Sequence, residues 1–341
     1  MKRIALEEHF VTEKQLAYLR SRKEDYPRLE SAVDEKGNRV ERLVRTPSSS
    51  RIFSAEDVHK LLDVGSGRIA EMDRAGIAMQ VLSNSGPSVE EYEASVRVDL
   101  ARSINDELSE AVRRNPDRFA GFATLPYGDP PAAADELERC VAKLGMKGTK
   151  ISSHVGGEYL DDRKFWPLFE RAERLGVPVY LHPKEPPPGL SKFFAPYAAL
   201  AAPMWGFSVD ASLHAMRLIC SGLFDRYPKL TIILGHLGEG IPFWLWRIDN
   251  RWVKDRHTGL KKLPSEYFRA NFRVTTSGMF SDAALACVHQ AIGADNILFA
   301  VDYPFESSEE AVRFMDAAVL ERADKEKICH ANAEALLALP A

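Results

Sequence analysis

The sequence predicts an α/β fold: a (β/α)8 barrel with a long insertion after its first strand and extra helices at its C-terminal end. Three observations carry the prediction. Short apolar runs recur eight times, each followed by a helix-length stretch. No Gly-x-Gly-x-x-Gly follows an early strand, as the runner-up, a doubly wound open sheet, would want. Several apolar runs also stop abruptly at residues suited to binding a divalent metal.

The first strand is Lys2 to Phe10, with Ile4, Ala5 and Leu6 as its buried part. A charged excursion follows, about 12–54, containing Pro27, Gly37, Arg42, Arg45, Pro47 and the run Ser48-Ser49-Ser50. It reads as an insertion with a little helix and no core of its own. Helical pattern resumes from Ala55 to Ala75 and stops at Gly76. Strand and helix then alternate: strand 77–82, helix 88–114, strand 119–125, helix 131–144, strand 148–152, helix 162–175 and strand 177–181. Helix 209–223, strand 230–234, helix 241–251, strand 272–276, helix 283–292 and strand 297–301 follow. Gly145 and Gly176 are the expected stops of their helices. Helices over 309–319 and 323–337 close a single domain spanning 1–341.

Composition narrows the function classes. A formal charge of -4 and no basic patch argue against nucleic acid. Cys140, Cys220, Cys287 and Cys329 are scattered, without a Cys-x-x-Cys pair, as in a reducing compartment. No apolar stretch reaches the length of a membrane span, and no signal peptide is legible. A cytoplasmic protein is expected.

Four strand ends carry the chemistry. The first ends in Glu7 and His9, which alternation puts on one face while Glu8 takes the other. The fifth runs into His182, the sixth into His236 and the eighth into Asp302. In a barrel these all project at the carboxyl-end face, where active sites form. Imidazoles mixed with carboxylates suit one divalent ion, Mn2+ or Zn2+. Glu239, three residues beyond His236, is placed either to orient that imidazole or to cap the following helix. Trp205, Phe207 and Tyr303 are aromatic residues near the same face, suited to sandwiching a ring or to ordinary loop packing.

Motifs along nearly the whole chain resemble one family. They are Ala5-Leu-Glu-Glu-His-Phe10, Asn115-Pro-Asp-Arg-Phe119, Tyr180-Leu-His-Pro183, Ser221-Gly-Leu-Phe-Asp225, Ile233-Leu-Gly-His-Leu-Gly-Glu-Gly240, Trp246-Arg-Ile-Asp249 and Asp302-Tyr-Pro-Phe-Glu306. The chain is similar to the amidohydrolase superfamily, in its branch of metal-dependent, non-oxidative aromatic acid decarboxylases. That branch includes the γ-resorcylate, 2,3-dihydroxybenzoate and 5-carboxyvanillate decarboxylases, and is related to aminocarboxymuconate semialdehyde decarboxylase. The resemblance implies metal ligands at Glu7, His9, His182 and Asp302, and a catalytic His236 supported by Glu239. It implies that Arg247 reaches the site of a neighbouring protomer in a homodimer or homotetramer. Ser152 stands where relatives place a substrate-facing Asn, and the first strand carries Glu-x-His where hydrolases of the superfamily often carry His-x-His.

The implied reaction is decarboxylation of a hydroxylated aromatic carboxylate. Losing carbon dioxide directly would leave a carbanion on the ring, so protonation of the ring carbon comes first, with Asp302 as donor. A metal-dependent hydrolase acting on a lactone, amide or C–C bond is the alternative on the same scaffold. A non-catalytic binding protein is the third.

Overall fold

The computed structural model describes residues 1–46 and 49–340; Pro47 and Ser48, part of the polar run of the excursion, lie outside the described residues. Eight parallel strands form the barrel wall. In chain order they are β1 (Ile4–Phe10), then, beyond the excursion, β5 (Met79–Asn84), β6 (Phe119–Gly121), β7 (Thr149–Ser152), β8 (Val179–His182), β9 (Ile232–Leu234), β10 (Phe272–Thr275) and β11 (Ile297–Leu298). They pair as β1-β5-β6 and as β11-β10-β9-β8-β7. Two bridges join these arcs: Ala123 to Thr149, and Glu8 to Tyr303. Around the second seam Leu6 N–H donates to Phe299 O (3.2 Å), Asp302 N–H to Glu7 O (3.0 Å) and His9 N–H to Tyr303 O (2.8 Å). The wall therefore closes, leaving no open edge on the barrel.

Ile4, Leu6, Met79, Val81, Phe122, Tyr180, Ile233 and Leu298 fill the interior. Ala5, Leu82, Ile151, Leu181 and Val274 face the helices outside. Strict alternation from Ile4 and Leu6 would send Glu8 inward. A bulge between Ala5 and Glu8 prevents this: three steps along β1 match two along β5. The extra residue turns Glu7 and His9 to the interior and Glu8 outward. Glu8 instead seals the seam, accepting from Val301 N–H (3.0 Å) and Gln80 Nε2 (3.4 Å). The face expected for Glu7 and His9 is the face observed, but it depends on this bulge.

The excursion differs from expectation. It contains a helix, Glu13–Ser21, and a three-stranded antiparallel sheet of β2 (Arg28–Val33), β3 (Arg39–Thr46) and β4 (Ser49–Phe53). Its alternation is masked by charge on the exposed face, where Glu30 and Arg42 pair directly across strands, 2.9 Å apart. Leu29, Leu43 and Phe53 turn the other way and join the main core. Arg45 ties the sheet to the barrel loops through Glu185 at 3.1 Å.

The helix expected over 55–75 is two, Ala55–Leu62 and Ser66–Ala75. Asp63 Oδ1 accepts from Gly65 N–H at the break (2.8 Å). Arg68, fully buried, donates to the carbonyls of His9 (2.6 Å), Lys60 (2.8 Å) and Asp63 (2.7 Å), pinning the second helix against the end of β1. Gly76, Gly145 and Gly176 end their helices in the left-handed region, as expected. Among the described residues, no helix is long and apolar enough to cross a membrane.

Candidate metal centre

Glu7, His9, His182 and Asp302 converge at the carboxyl-end mouth of the barrel. Each offers one ligand atom, and these atoms lie within 4.8 Å of one another. His9 Nε2 is 2.8 Å from Asp302 Oδ1, and His182 Nε2 is 3.3 Å from Glu7 Oε1. Strand ends position all four, so their spacing follows from barrel register. Asp302 also sits at φ +80°, a left-handed conformation that Asp tolerates at some cost in strain.

The polar surroundings orient the set. His182 Nδ1–H donates to Pro183 O (2.6 Å), which leaves Nε2 as a lone-pair donor toward the cluster. The Tyr180 hydroxyl donates to Glu7 Oε2 and lies 2.9 Å from Thr275 Oγ1. A Cβ at residue 235 would come within 3.1 Å of Glu7 Oε2, so Gly235 makes room for this carboxylate. Glu7 is 1% exposed, and its Oε1 has no hydrogen-bond partner. A buried carboxylate oxygen left in that state is costly, and a cation offsets the cost.

The protonation states also suit a metal. Burial, with the nearby Lys150 ammonium, pulls His9 down to about 4. Burial, again with Lys150, carries His182 well below the ordinary imidazole value. Both rings are thus neutral ligands near pH 7. Burial pushes Glu7 up. Burial also acts to raise Asp302, but the His236 and His9 imidazoles outweigh it and hold that carboxyl below its ordinary range. Two neutral imidazoles and two carboxylates are a donor set for manganese or zinc.

His236 lies beside the cluster, with Nε2 3.9 Å from Asp302 Oδ2. Its Nδ1 is 2.7 Å from Glu239 Oε1, so Glu239 is in contact with the ring. Burial works against a charged His236, yet Glu239 and Glu7 raise it well above the ordinary value. These directions favour the proton on His236 over Asp302.

A cavity of about 460 Å³ opens over the cluster, lined by Ser152, His182, Phe207, His236, Asp302 and Phe305 among others. Ser152 and Phe207 are brought to it as expected. Trp205 and Tyr303 are not among its lining residues. Trp205 is 58% exposed; Tyr303 is buried on the far side of the strand end, with the Arg68 guanidinium 4.6 Å from its ring centre. The step from Asp302 to Tyr303 reverses the facing, which the motif alone does not reveal. Arg247 is exposed on the helix Ile241–Lys254 and does not line the pocket of its own chain. The excursion contributes Arg45, Ser50, Arg51 and Phe53 to the cavity, none of them anticipated. Arg51 lies 4.4 Å over the Phe305 ring. The sequence signal for them is weak, a cluster of basic residues in an insertion next to the first strand.

The amidohydrolase family model matches residues 59–339. A γ-resorcylate decarboxylase of Polaromonas sp. is 38% identical, covering 99% of this chain and 98% of that protein. The structure of 5-carboxyvanillate decarboxylase from Sphingomonas paucimobilis superposes with TM-score 0.88 at 35% identity, over 99% of both chains. A dihydroxybenzoic acid decarboxylase from Polaromonas sp., solved with manganese and the inhibitor 2-nitroresorcinol, superposes with TM-score 0.86 at 37% identity, over 99% of this chain and 97% of that one.

Proposed function

The chain belongs to the amidohydrolase family, and on that premise we propose how its residues carry out the non-oxidative decarboxylation of a hydroxylated aromatic carboxylate. The enzyme is a metal-dependent decarboxylase. The observation that carries the residue assignment is the convergence of Glu7, His9, His182 and Asp302 beneath one cavity. These four would hold the ion. When bound, the ion supplies electrostatic anchoring for the substrate carboxylate and the phenolic oxygen beside it.

The chain's own groups move the proton. His236 holds it at rest, stabilised by Glu239. It passes from His236 Nε2 to Asp302 Oδ2, and from there to the ring carbon that bears the carboxylate. The C–C bond to the carboxylate then breaks, its electron pair restores aromaticity, and carbon dioxide leaves. Asp302 thus acts as donor only after His236 has charged it. Phe207 and Phe305 border the cavity and exclude water from the ring.

The substrates to test are 2,6-dihydroxybenzoate, 2,3-dihydroxybenzoate and 5-carboxyvanillate, with manganese or zinc added and oxygen excluded. Carbon dioxide release from at least one is expected. Turnover confined to hydrolysable lactones or amides would overturn the reading. We infer further that the chain works as a homodimer or homotetramer, because Phe243, Trp244 and Trp246 stand exposed on the helix that carries Arg247. Light scattering that finds only a monomer at micromolar concentration contradicts this. A cytoplasmic location suits the four free cysteines.

A further inference from the structure

Lys150 is a charged residue inside the barrel that the reaction above does not use. It pairs in register with Tyr180 on the neighbouring strand, two residues below the pair of Ser152 and His182. Ile151, between them, faces the outer helices. Tyr180 and Ser152 both face inward, the first into the interior core and the second into the cavity. Lys150 therefore projects into the barrel just beneath the pocket floor. It is 7% exposed, and its Nζ has no hydrogen-bond partner.

An ammonium held in such a place without an acceptor costs folding stability, and its retention points to a role outside stability. Burial pulls the amine down to about 8, while Glu7, Asp302 and Glu90 hold it up. Those carboxylates identify its electrostatic neighbours as two of the candidate ligands and one buried acid.

Formal charge shows what the ammonium supplies; this step rests on the function proposed above. Glu7 and Asp302 together offset a divalent ion. A hydroxybenzoate bound through its carboxylate and an ionised ortho-hydroxyl adds two negative charges. The charges around the cavity already match: Arg45, Arg51 and Lys184 are offset by Glu91, Glu185 and Glu306, and a protonated His236 by Glu239 2.7 Å away, so the dianion calls for a second cation beside the bound ion. We propose that Lys150 is a positioning residue whose buried charge supplies that second cation and so keeps the substrate's ortho-hydroxyl ionised in the bound state. Lys150 does not touch the reacting atoms; it acts through the field across Tyr180 and Glu7.

The test uses metal-loaded full-length protein and 2-nitroresorcinol, whose absorption reports ionisation of its phenol. Wild type is expected to bind it as the phenolate at neutral pH. In Lys150→Met the bound probe should require a pH at least about one unit higher to ionise, a tenfold change in its acid dissociation. Lys150→Arg should restore the wild-type spectrum, and metal content should stay unchanged in both variants. Lys150→Met should melt no lower than wild type, because an apolar chain replaces an unpaired buried charge. If that variant fails to fold, Lys150→Gln serves in its place with the same expected shift. Identical probe spectra across pH for wild type and either neutral variant overturn the inference while leaving the decarboxylase reading intact. Failure of metal-loaded wild type both to bind the probe and to release carbon dioxide overturns the reading of function, and this inference with it.

Discussion

The two walls of the pocket are built by different means. On the barrel side, Glu7, His9, His182 and Asp302 hang from the ends of parallel strands whose neighbours are set by backbone hydrogen bonds. On the excursion side, Arg45, Ser50, Arg51 and Phe53 come from a small antiparallel sheet attached mainly by apolar packing and by Arg45 to Glu185. The first wall takes its spacing from the register of the barrel strands. The second can change its side chains without disturbing the barrel. The contrast predicts that chemistry depends on the strands and substrate choice on the excursion.

The largest test of this contrast is within β1. Glu7→Gln is expected to lose bound metal and at least ~100-fold in kcat/KM. Glu8→Gln keeps an acceptor toward Val301 N–H, so metal stoichiometry should hold and only melting temperature fall. Equal metal loss in both variants, measured by atomic absorption, would mean that the bulge does not separate their roles.

Next in size is the proton. His236→Gln should retain metal yet lower kcat by ~100-fold or more. Because Glu239 raises the His236 imidazole against its burial, Glu239→Gln should move the alkaline limb of the kcat profile to lower pH. An unmoved limb would remove His236 from the proton path.

A change on the other wall should read out differently. Arg51→Ala is expected to raise KM by up to ~10-fold for anionic aromatics, with metal content and the pH profile intact. A loss of metal in that variant would erase the division of labour between the walls.

The smallest effect concerns stability. Glu90 is buried beneath the excursion, with Oε1 accepting from Tyr127 N–H (3.2 Å) and Oε2 unpartnered. Burial pushes its carboxyl up to about 7. A raised acid contributes stability that is fully present below its unfolded pKa, near 4.5, and is lost as pH rises through the folded value. Wild type should therefore melt lower at pH 8 than at pH 5, and Glu90→Gln should flatten part of that slope. A parallel slope in the variant would assign the dependence to other groups.

The same contrast explains what could be read in the sequence. The convergence of the candidate ligands was legible because each follows an apolar strand, and an abrupt polar residue there is a local signal. The barrel alternation and most helix stops were legible for the same reason. The strands of the excursion were not: their outward residues are Arg and Glu, whose pairing across strands is a tertiary fact. Tyr303 was placed in the pocket by nearness in sequence to Asp302, while the backbone at φ +80° turns the two side chains apart. The burial of Lys150 is not legible, since a lysine in a short strand reads as exposed. Only its register with Tyr180 shows that it points inward.

The bulge in β1 has a consequence for how relatives are recognised. Deleting Leu6 would remove the extra residue and let Glu7 take its inward place, with Glu8 still outward and His9 still inward. Straightening the strand without a deletion would instead turn Glu8 toward the cavity and Glu7 into the wall. The letters Glu and His at the strand end would be the same in both proteins. Competence of a relative is therefore read from the register of its first strand against the neighbouring strand, and residue identity at the ligand positions does not give it.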